Sequence, residues 1–162
     1  MRILVSAATK HGATAEIAEV IGEELRNGGH QVSVAEPAAV ADAASYDAFV
    51  LGSAVYAGRW LDDARDLVEE NAAALRSKPV WLFSSGPIGE PPKPDEEPVD
   101  AGPLVTATGA REHRVFAGKI DRSGLGLGEK AIVIALRAPE GDFREWDAIR
   151  AWATGIARAL GS

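Results

Sequence analysis

The chain has 162 residues, 46% of them hydrophobic and 25% charged. That composition suits one globular domain spanning 1–162 with a core of its own. It holds no cysteine, which excludes disulfides, thiolate chemistry and cysteine-held metal or iron–sulfur sites. A net charge of −7 argues against nucleic acid, whose phosphates require clustered Lys and Arg, and against an anionic membrane surface.

Met1-Arg2-Ile3-Leu4-Val5 enters an apolar strand at once, without signal-peptide anatomy. No apolar run approaches the roughly 18 residues that span a bilayer, so stable membrane insertion is not expected and a cytoplasmic protein is. Short apolar runs then alternate with segments of helical period, the pattern of βαβ units on a parallel sheet in an α/β fold. Ile3–Ala7 reads as the first strand. Ile17, Ala18, Ile21 and Leu25 share one face of a helix that Gly28-Gly29 stops. Gln31–Ala35 is a second strand and Asp47–Ser53 a third, whose Ala48-Phe49-Val50-Leu51 run is apolar throughout, as in a strand covered on both faces.

Leu61, Ala64, Leu67, Val68, Ala72 and Leu75 mark one further amphipathic helix, and Pro79–Ser84 a fourth strand. Residues 86–103 hold most of the chain's nine prolines with several acids, which predicts a loop or lid. A weak helical piece follows at Leu104–Thr108, then a fifth strand at Arg114–Ala117. Ala131–Leu136 fits strand or helix. Phe143, Trp146, Ile149, Ala153, Ile156 and Leu160 form a final amphipathic helix entered at Gly141-Asp142. There is no internal repeat.

Ligands of an open parallel sheet sit beyond the carboxyl ends of its strands. After the first strand, Thr9-Lys10-His11-Gly12-Ala13-Thr14 leads directly into a helix. It offers two hydroxyls, free backbone N–H groups and the positive end of the helix dipole, enough to hold a phosphate without a salt bridge. An ordinary turn in which Thr14 only starts the helix fits the same residues. Gly-Lys-Ser/Thr is absent and one glycine stands where a dinucleotide fingerprint needs three, which narrows the ligand to a mononucleotide phosphate. After the third strand, Gly52-Ser53-Ala54-Val55-Tyr56-Ala57-Gly58-Arg59-Trp60 places Tyr56 and Trp60 at the sheet's rim, where burial in the core is awkward and a flat heteroaromatic ring could stack. Trp60 starting the next helix is the plainer alternative. After the fourth strand, Ser84-Ser85-Gly86-Pro87-Ile88-Gly89 is a turn rich in free donors, fit for the polar edge of such a ring or for nothing in particular. Their coincidence on one edge favours a site.

Other residues point away from chemistry. His30 is expected in a solvated turn and His113 on the surface beside Arg111, Glu112 and Arg114. His11 lies within the phosphate loop, where its ring or the backbone alone can serve. No metal-ligand spacing is present. Asp95-Glu96-Glu97 reads as a solvated loop. Ser6-Ala7-Ala8-Thr9 lacks the acids of a phosphorylatable receiver, and no nucleophile–base pair suggests hydrolysis.

Thr9–Thr14, with Ala18 and Ile21 behind it, resembles the phosphate signature of the flavodoxin family, and Gly52–Trp60 and Ser84–Gly89 resemble the family's second and third cofactor loops in order and spacing. More narrowly, the chain is similar nearly end to end to the flavodoxin-like menaquinone-dependent protoporphyrinogen oxidases, including Arg114-Val115-Phe116-Ala117-Gly118 and the Trp146 helix. The resemblance implies a three-layer flavodoxin-like sandwich on a five-stranded parallel sheet ordered 2-1-3-4-5, with FMN bound noncovalently and used for one- or two-electron chemistry. The implied FMN contacts are Thr9, Lys10, His11, Gly12, Ala13 and Thr14; Ser53, Ala54, Val55, Tyr56, Ala57, Gly58 and Trp60; and Ser84, Ser85, Gly86, Pro87 and Gly89. Ala7 stands where the family often carries an aromatic. Gly124–Ala138 is an implied inserted helix, basic and apolar in the membrane-associated oxidases, but here Gly-rich with only Lys130 and Arg137 basic.

Three functional classes follow. One is an electron carrier between larger redox partner proteins. The second is an enzyme in which FMN meets a quinone or porphyrinogen directly. The third is a binding module that kept the fold and lost the flavin. Flavin-dependent electron transfer is the leading expectation, and the acidic surface favours the carrier, since charge steers it to basic partners.

Overall fold

Strands that are apolar on both faces must be covered on both, and the chain does this with helices on either side of one sheet. The computed structural model describes residues 1–9, 12–40, 42–56, 59–85, 101–116, 119–120, 141–142 and 146–161, with backbone alone at 13, 56, 59, 101, 119–120 and 141–142. In chain order the elements are β1 (Arg2–Ala8), α1 (Ala13–Asn27), β2 (Gln31–Ala35), β3 (Ala48–Tyr56), β4 (Arg59–Trp60), α2 (Asp62–Glu70), α3 (Ala72–Arg76), β5 (Val80–Ser85), α4 (Ala101–Thr108), β6 (Glu112–Phe116), β7 (Lys119–Ile120), β8 (Gly141–Asp142) and α5 (Trp146–Leu160). Two short 3₁₀ turns, Pro37–Ala39 and Ala43–Ser45, lie between β2 and β3.

The main sheet runs β2-β1-β3-β5-β6, all parallel, which is the 2-1-3-4-5 order of its five long strands. β4 folds back antiparallel on β3, and β7 and β8 make a separate antiparallel pair. Side-chain alternation divides the core in two. Ile3, Val5, Val50, Trp81 and Phe83 face α1 and α5, where Ile17, Ile21, Leu25, Ile149 and Ile156 meet them. Leu4, Phe49, Leu51, Val80 and Leu82 face the opposite layer, with Leu67 and Val68 of α2, Leu75 of α3 and Leu104 of α4. Each such side chain taken fully from water contributes about 1.5–3 kcal/mol. Arg150 of α5 reaches Glu24 of α1 at 2.7 Å and ties the first pair of helices together at their surface.

The sequence and the structure differ at several boundaries. The helix expected from Leu61 to Leu75 is two helices, because Asn71 interrupts it: its side-chain amide donates to Leu67 O at 2.9 Å, and its backbone leaves helical geometry. α4 begins at Ala101, inside the segment expected to be loop, and Gly141-Asp142 is a strand rather than a helix entry. β6 begins two residues earlier than expected, at Glu112. The readings placed on Asp95-Glu96-Glu97, on Gly124–Ala138, on Ala131–Leu136 and on Phe143 fall outside the described residues.

Two positions in the central strands have opposite energetics. Gly52 lies beside Phe83 across the β3–β5 ladder, and a Cβ there would fall onto the Phe83 ring, which is fully buried and has nowhere to go. Ser6 is 1% exposed and its hydroxyl has no hydrogen-bond partner among the described residues. Gly52→Ala is therefore expected to cost on the order of 1–3 kcal/mol or more through overpacking. Ser6→Ala removes an unsatisfied buried hydroxyl and is expected to raise stability by about 1 kcal/mol. Urea denaturation of the two variants checks both, and a destabilised Ser6→Ala would mean that the hydroxyl is bonded.

Candidate functional site

Three strand ends stand side by side on one line across the sheet. In the register, Ala8 of β1 is opposite Ser53 of β3, Ser53 is opposite Ser84 of β5, and Ser84 is opposite Val115 of β6. β3 continues past this line to Tyr56 and returns through β4, with Val55 opposite Trp60 and Tyr56 opposite Arg59. The carboxyl ends of β1, β3 and β5 thus share one rim. β1 and β3 are also where strand order reverses, the place at which a crevice opens in such sheets.

The first loop delivers the chain into α1 without a side-chain cap. Gly12 is the N-cap, at φ 91°, a left-handed conformation that glycine adopts without strain. Its N–H donates to Thr9 Oγ1 at 2.9 Å, and its carbonyl accepts the first intrahelical bond, from Glu16 N–H, at 3.1 Å. A helix leaves the first N–H groups without intrahelical acceptors, and among the described residues a Cβ added at Gly12 would meet nothing within 4 Å. Backbone donors without acceptors among the described residues, together with the helix dipole, are the features that favour an anion at a helix N-terminus. Thr14 follows at the second helical position with its side chain buried, so it does not cap the helix; Gly12 occupies the cap.

The β3–β4 hairpin is pinned at its base and its side. Ser53, fully buried, donates to Ala54 O at 2.7 Å and accepts from Leu61 N–H at 2.9 Å, which closes the hairpin where it leaves the sheet. Trp60 is only 2% exposed, packed against the layer of α2 to α4, and its indole N–H donates to Ser84 Oγ at 2.7 Å. The expectation that burying Trp60 at the rim would be awkward is overturned for a physical reason: the single polar atom of the indole finds a buried acceptor.

Ser84 in turn lies 2.7 Å from Nε2 of His113. That histidine, expected on the surface, is half-buried on the second residue of β6. His30 is corrected too. It is 6% exposed rather than solvated, because the close approach of α1 and α5 at Gly28 and Ala157 encloses it, with Nε2 3.3 Å from Ala157 O. No sequence signal distinguished these histidines from solvated ones, since what buries them is distant in sequence.

Of the residues expected at the site, Thr9, Gly12, Thr14, Ser53, Ala54, Val55, Trp60, Ser84 and Ser85 are described with their side chains and lie along this rim. Ala13 and Tyr56 are described by backbone. Lys10, His11, Ala57, Gly58, Gly86, Pro87 and Gly89 fall outside the described residues. Among the described residues, no group of three or more His, Asp or Glu is placed to hold a metal ion, and no helix is long and apolar enough to cross a membrane.

An open parallel sheet with helices on both faces and a strand-order switch at β1 and β3 defines the doubly wound class of α/β proteins, whose ligands sit beyond the carboxyl ends of the strands. The flavodoxin domain family matches residues 4–147, and the chain belongs to it. Proteins of this family bind FMN and carry electrons. Among solved structures, a flavodoxin from the Archaea superposes with a TM-score of 0.69 at 17% identity, covering 100% of both chains. A Streptococcus pneumoniae flavodoxin gives 0.67 at 19%, covering 98% of this chain and 99% of that one. Rubredoxin oxygen:oxidoreductase from Desulfovibrio gigas gives 0.63 at 16%, with 98% of this chain matching 36% of that one. Identities at this level speak for the fold alone. No curated protein sequence matches the chain.

The double role of Ser53 yields a test. Ser53→Ala strips the partly buried Leu61 N–H of its acceptor, which is expected to cost about 1 kcal/mol. Amide exchange at Leu61 is expected to quicken more than exchange in the strand interiors. Unchanged protection of Leu61 would show that the hairpin base is held some other way.

Proposed function

We propose that this chain is an electron carrier that binds one FMN on the rim formed by β1, β3 and β5, working as one domain in the cytoplasm between larger redox partner proteins. The observation that carries the reading is the entry to α1: among the described residues no side chain caps this helix N-terminus and nothing lies over Gly12, and it stands beside the ends of β3 and β5. In this reading the phosphate is held by Thr9, Lys10, His11, Gly12, Ala13 and Thr14, mainly through backbone N–H groups and the Thr14 hydroxyl. The ring is held between Ser53–Trp60 and Ser84–Gly89. FMN supplies one- and two-electron transfer when bound. The protein's part is to hold the phosphate, to keep the two ring loops in place and to exclude water from the rim.

Burial divides the work among those residues. Ser53, Trp60 and Ser84 turn their polar atoms inward to one another and to the backbone, so they serve as braces behind the ring. The backbone that follows them, at 54–56 and at 85, is left to face it. The net charge of −7 supports steering toward basic partner surfaces.

The sequence resemblance to the menaquinone-dependent protoporphyrinogen oxidases supports a second reading, in which a quinone or porphyrinogen reacts at the rim directly. Stopped-flow oxidation of the reduced protein by quinones, with an assay of protoporphyrinogen turnover, separates the two. A carrier reacts fastest with protein partners and turns over neither small molecule.

Purified protein is expected to bind FMN one to one and riboflavin much more weakly, because charge-assisted hydrogen bonds to the phosphate are the strong ones. Thr14→Ala should weaken FMN by about tenfold to a hundredfold, the loss of one hydrogen bond to a charged group, at roughly 1.5–3 kcal/mol. It should leave riboflavin binding nearly unchanged; because the Thr14 side chain is buried, its truncation is expected to cost the apoprotein about 1 kcal/mol, without the loss of a helix cap. Equal affinity for FMN and riboflavin would overturn the phosphate assignment. Fluorescence titration with both flavins gives the answer.

A further inference from the structure

A chain of hydrogen bonds crosses three strands at the rim and is not required by the sheet itself. β4 pairs with β3 and, among the described residues, with no other strand. Trp60 bridges sideways from β4 to β5, its indole N–H donating to Ser84 Oγ at 2.7 Å. His113 completes the path from β6, with Nε2 2.7 Å from the same hydroxyl. Ser84 is fully buried, level with Ser53 and one residue short of the end of β5.

The chemistry of the three groups makes the path directional. An indole N–H only donates, so Ser84 Oγ must offer it a lone pair. The hydroxyl is then left with its own proton and a second lone pair, and either can meet an imidazole nitrogen. A serine hydroxyl without a second partner rotates freely about its Cβ–Oγ bond. With His113 in place its direction is set, and the lone pair aimed at Trp60 is set with it. His113 thereby acts on the hairpin from two strands away.

We propose that His113 is a positioning residue for the flavin-ring side of the rim: through Ser84 it fixes Trp60, and so locks the β3–β4 hairpin in register with the carboxyl end of β5. The inference rests on the FMN reading above. It assigns no contact between His113 and the flavin. Its consequence is that the β3–β4 hairpin and the carboxyl end of β5 keep their spacing as one unit, so ring affinity depends on a side chain that does not touch the ring. Phosphate recognition at Gly12 is separate from this path.

The test reads both ends of the path. In the apoprotein, exchange of the Trp60 indole N–H, followed by NMR, is expected to quicken at least severalfold in His113→Leu and Ser84→Ala and to stay slow in His113→Gln, which keeps a hydrogen-bonding group. In flavin titrations, His113→Leu, Ser84→Ala and Trp60→Phe are each expected to weaken FMN and riboflavin by the same factor, about tenfold, the scale of one buried hydrogen bond. The preference for FMN over riboflavin is then unchanged, and the His113→Leu/Ser84→Ala double variant is no worse than either single variant. His113→Gln is expected to bind as the parent does. Should Ser84→Ala fail to fold, Trp60→Phe keeps an aromatic ring in place, removes the indole N–H and carries the flavin titration, with its melting temperature reporting the volume lost. Unchanged indole exchange, additive losses in the double variant, or a lower melting temperature with flavin affinities intact would each overturn the proposal while the flavin reading stands. Failure of the parent protein to bind either flavin would overturn both.

Discussion

The ring of Phe83 resting over Gly52 is the contact on which the rest of the sheet depends. Strand β3 has no side chain at 52, so its neighbour in β5 covers the backbone directly and the two strands are held in one register. The same ring meets Phe116 of β6 at 6.3 Å and Trp152 of α5 at 6.0 Å between centroids, and those two rings meet each other at 5.4 Å, in tilted and edge-on arrangements. Such geometries are the favoured ones for aromatic pairs. The edge strand and the last helix are therefore seated on the central strands through a single cluster. Trp152 adds a hydrogen bond from its indole to Glu112 at 2.6 Å, which joins α5 to the start of β6.

That cluster lies on one face of the sheet, and the rim's polar contacts lie on the other. The connection between them is the register itself. With Gly52 level with Phe83, Ser53 must stand level with Ser84 and Ser84 with Val115. A slip of one residue would exchange the faces of every side chain in the strand. It would turn Ser84 toward α5 and leave the Trp60 indole with no acceptor on β5. An apolar contact thus sets the positions of polar ones it never touches.

Much of this was legible from periodicity, and the reason is local. Ile17, Ala18, Ile21 and Leu25 recur at helical spacing and are buried, and the unbroken run from Ala48 to Leu51 marks a strand covered on both faces. The rim's existence was legible too, because strand ends followed by Gly, Ser and Thr are local patterns. What escaped was everything decided by distant partners. Trp60 looked exposed because its acceptor is Ser84, and His113 looked solvated because that serine is 29 residues away. His30 gave no sign of the carbonyl of Ala157, 127 residues later. The break at Asn71 was missed for a different reason. The apolar spacing runs on across it, and only the side-chain amide's competition for Leu67 O reveals the interruption.

The buried hydroxyls of the central strands differ in how they are bonded. Ser6, Ser53 and Ser84 all lie in central strands on the same face, where an aliphatic side chain would be the ordinary choice. Ser6, two residues before the end of its strand, has no hydrogen-bond partner among the described residues and contributes nothing visible to the rim. Ser53 and Ser84 are as deeply buried, yet each has two partners, and each partner pair spans a junction: Ser53 joins β3 to the chain entering α2, and Ser84 joins β4 to β6. Burying a hydroxyl is unfavourable unless it is bonded, so satisfied hydroxyls at junctions mark places where orientation is specified as well as packing. Departures from simple strand patterning collect where a protein does its work. Here they collect at the carboxyl ends of β3 and β5, beside the left-handed turn at Gly12, and the amino-terminal halves of the same strands keep the plain apolar pattern of a core.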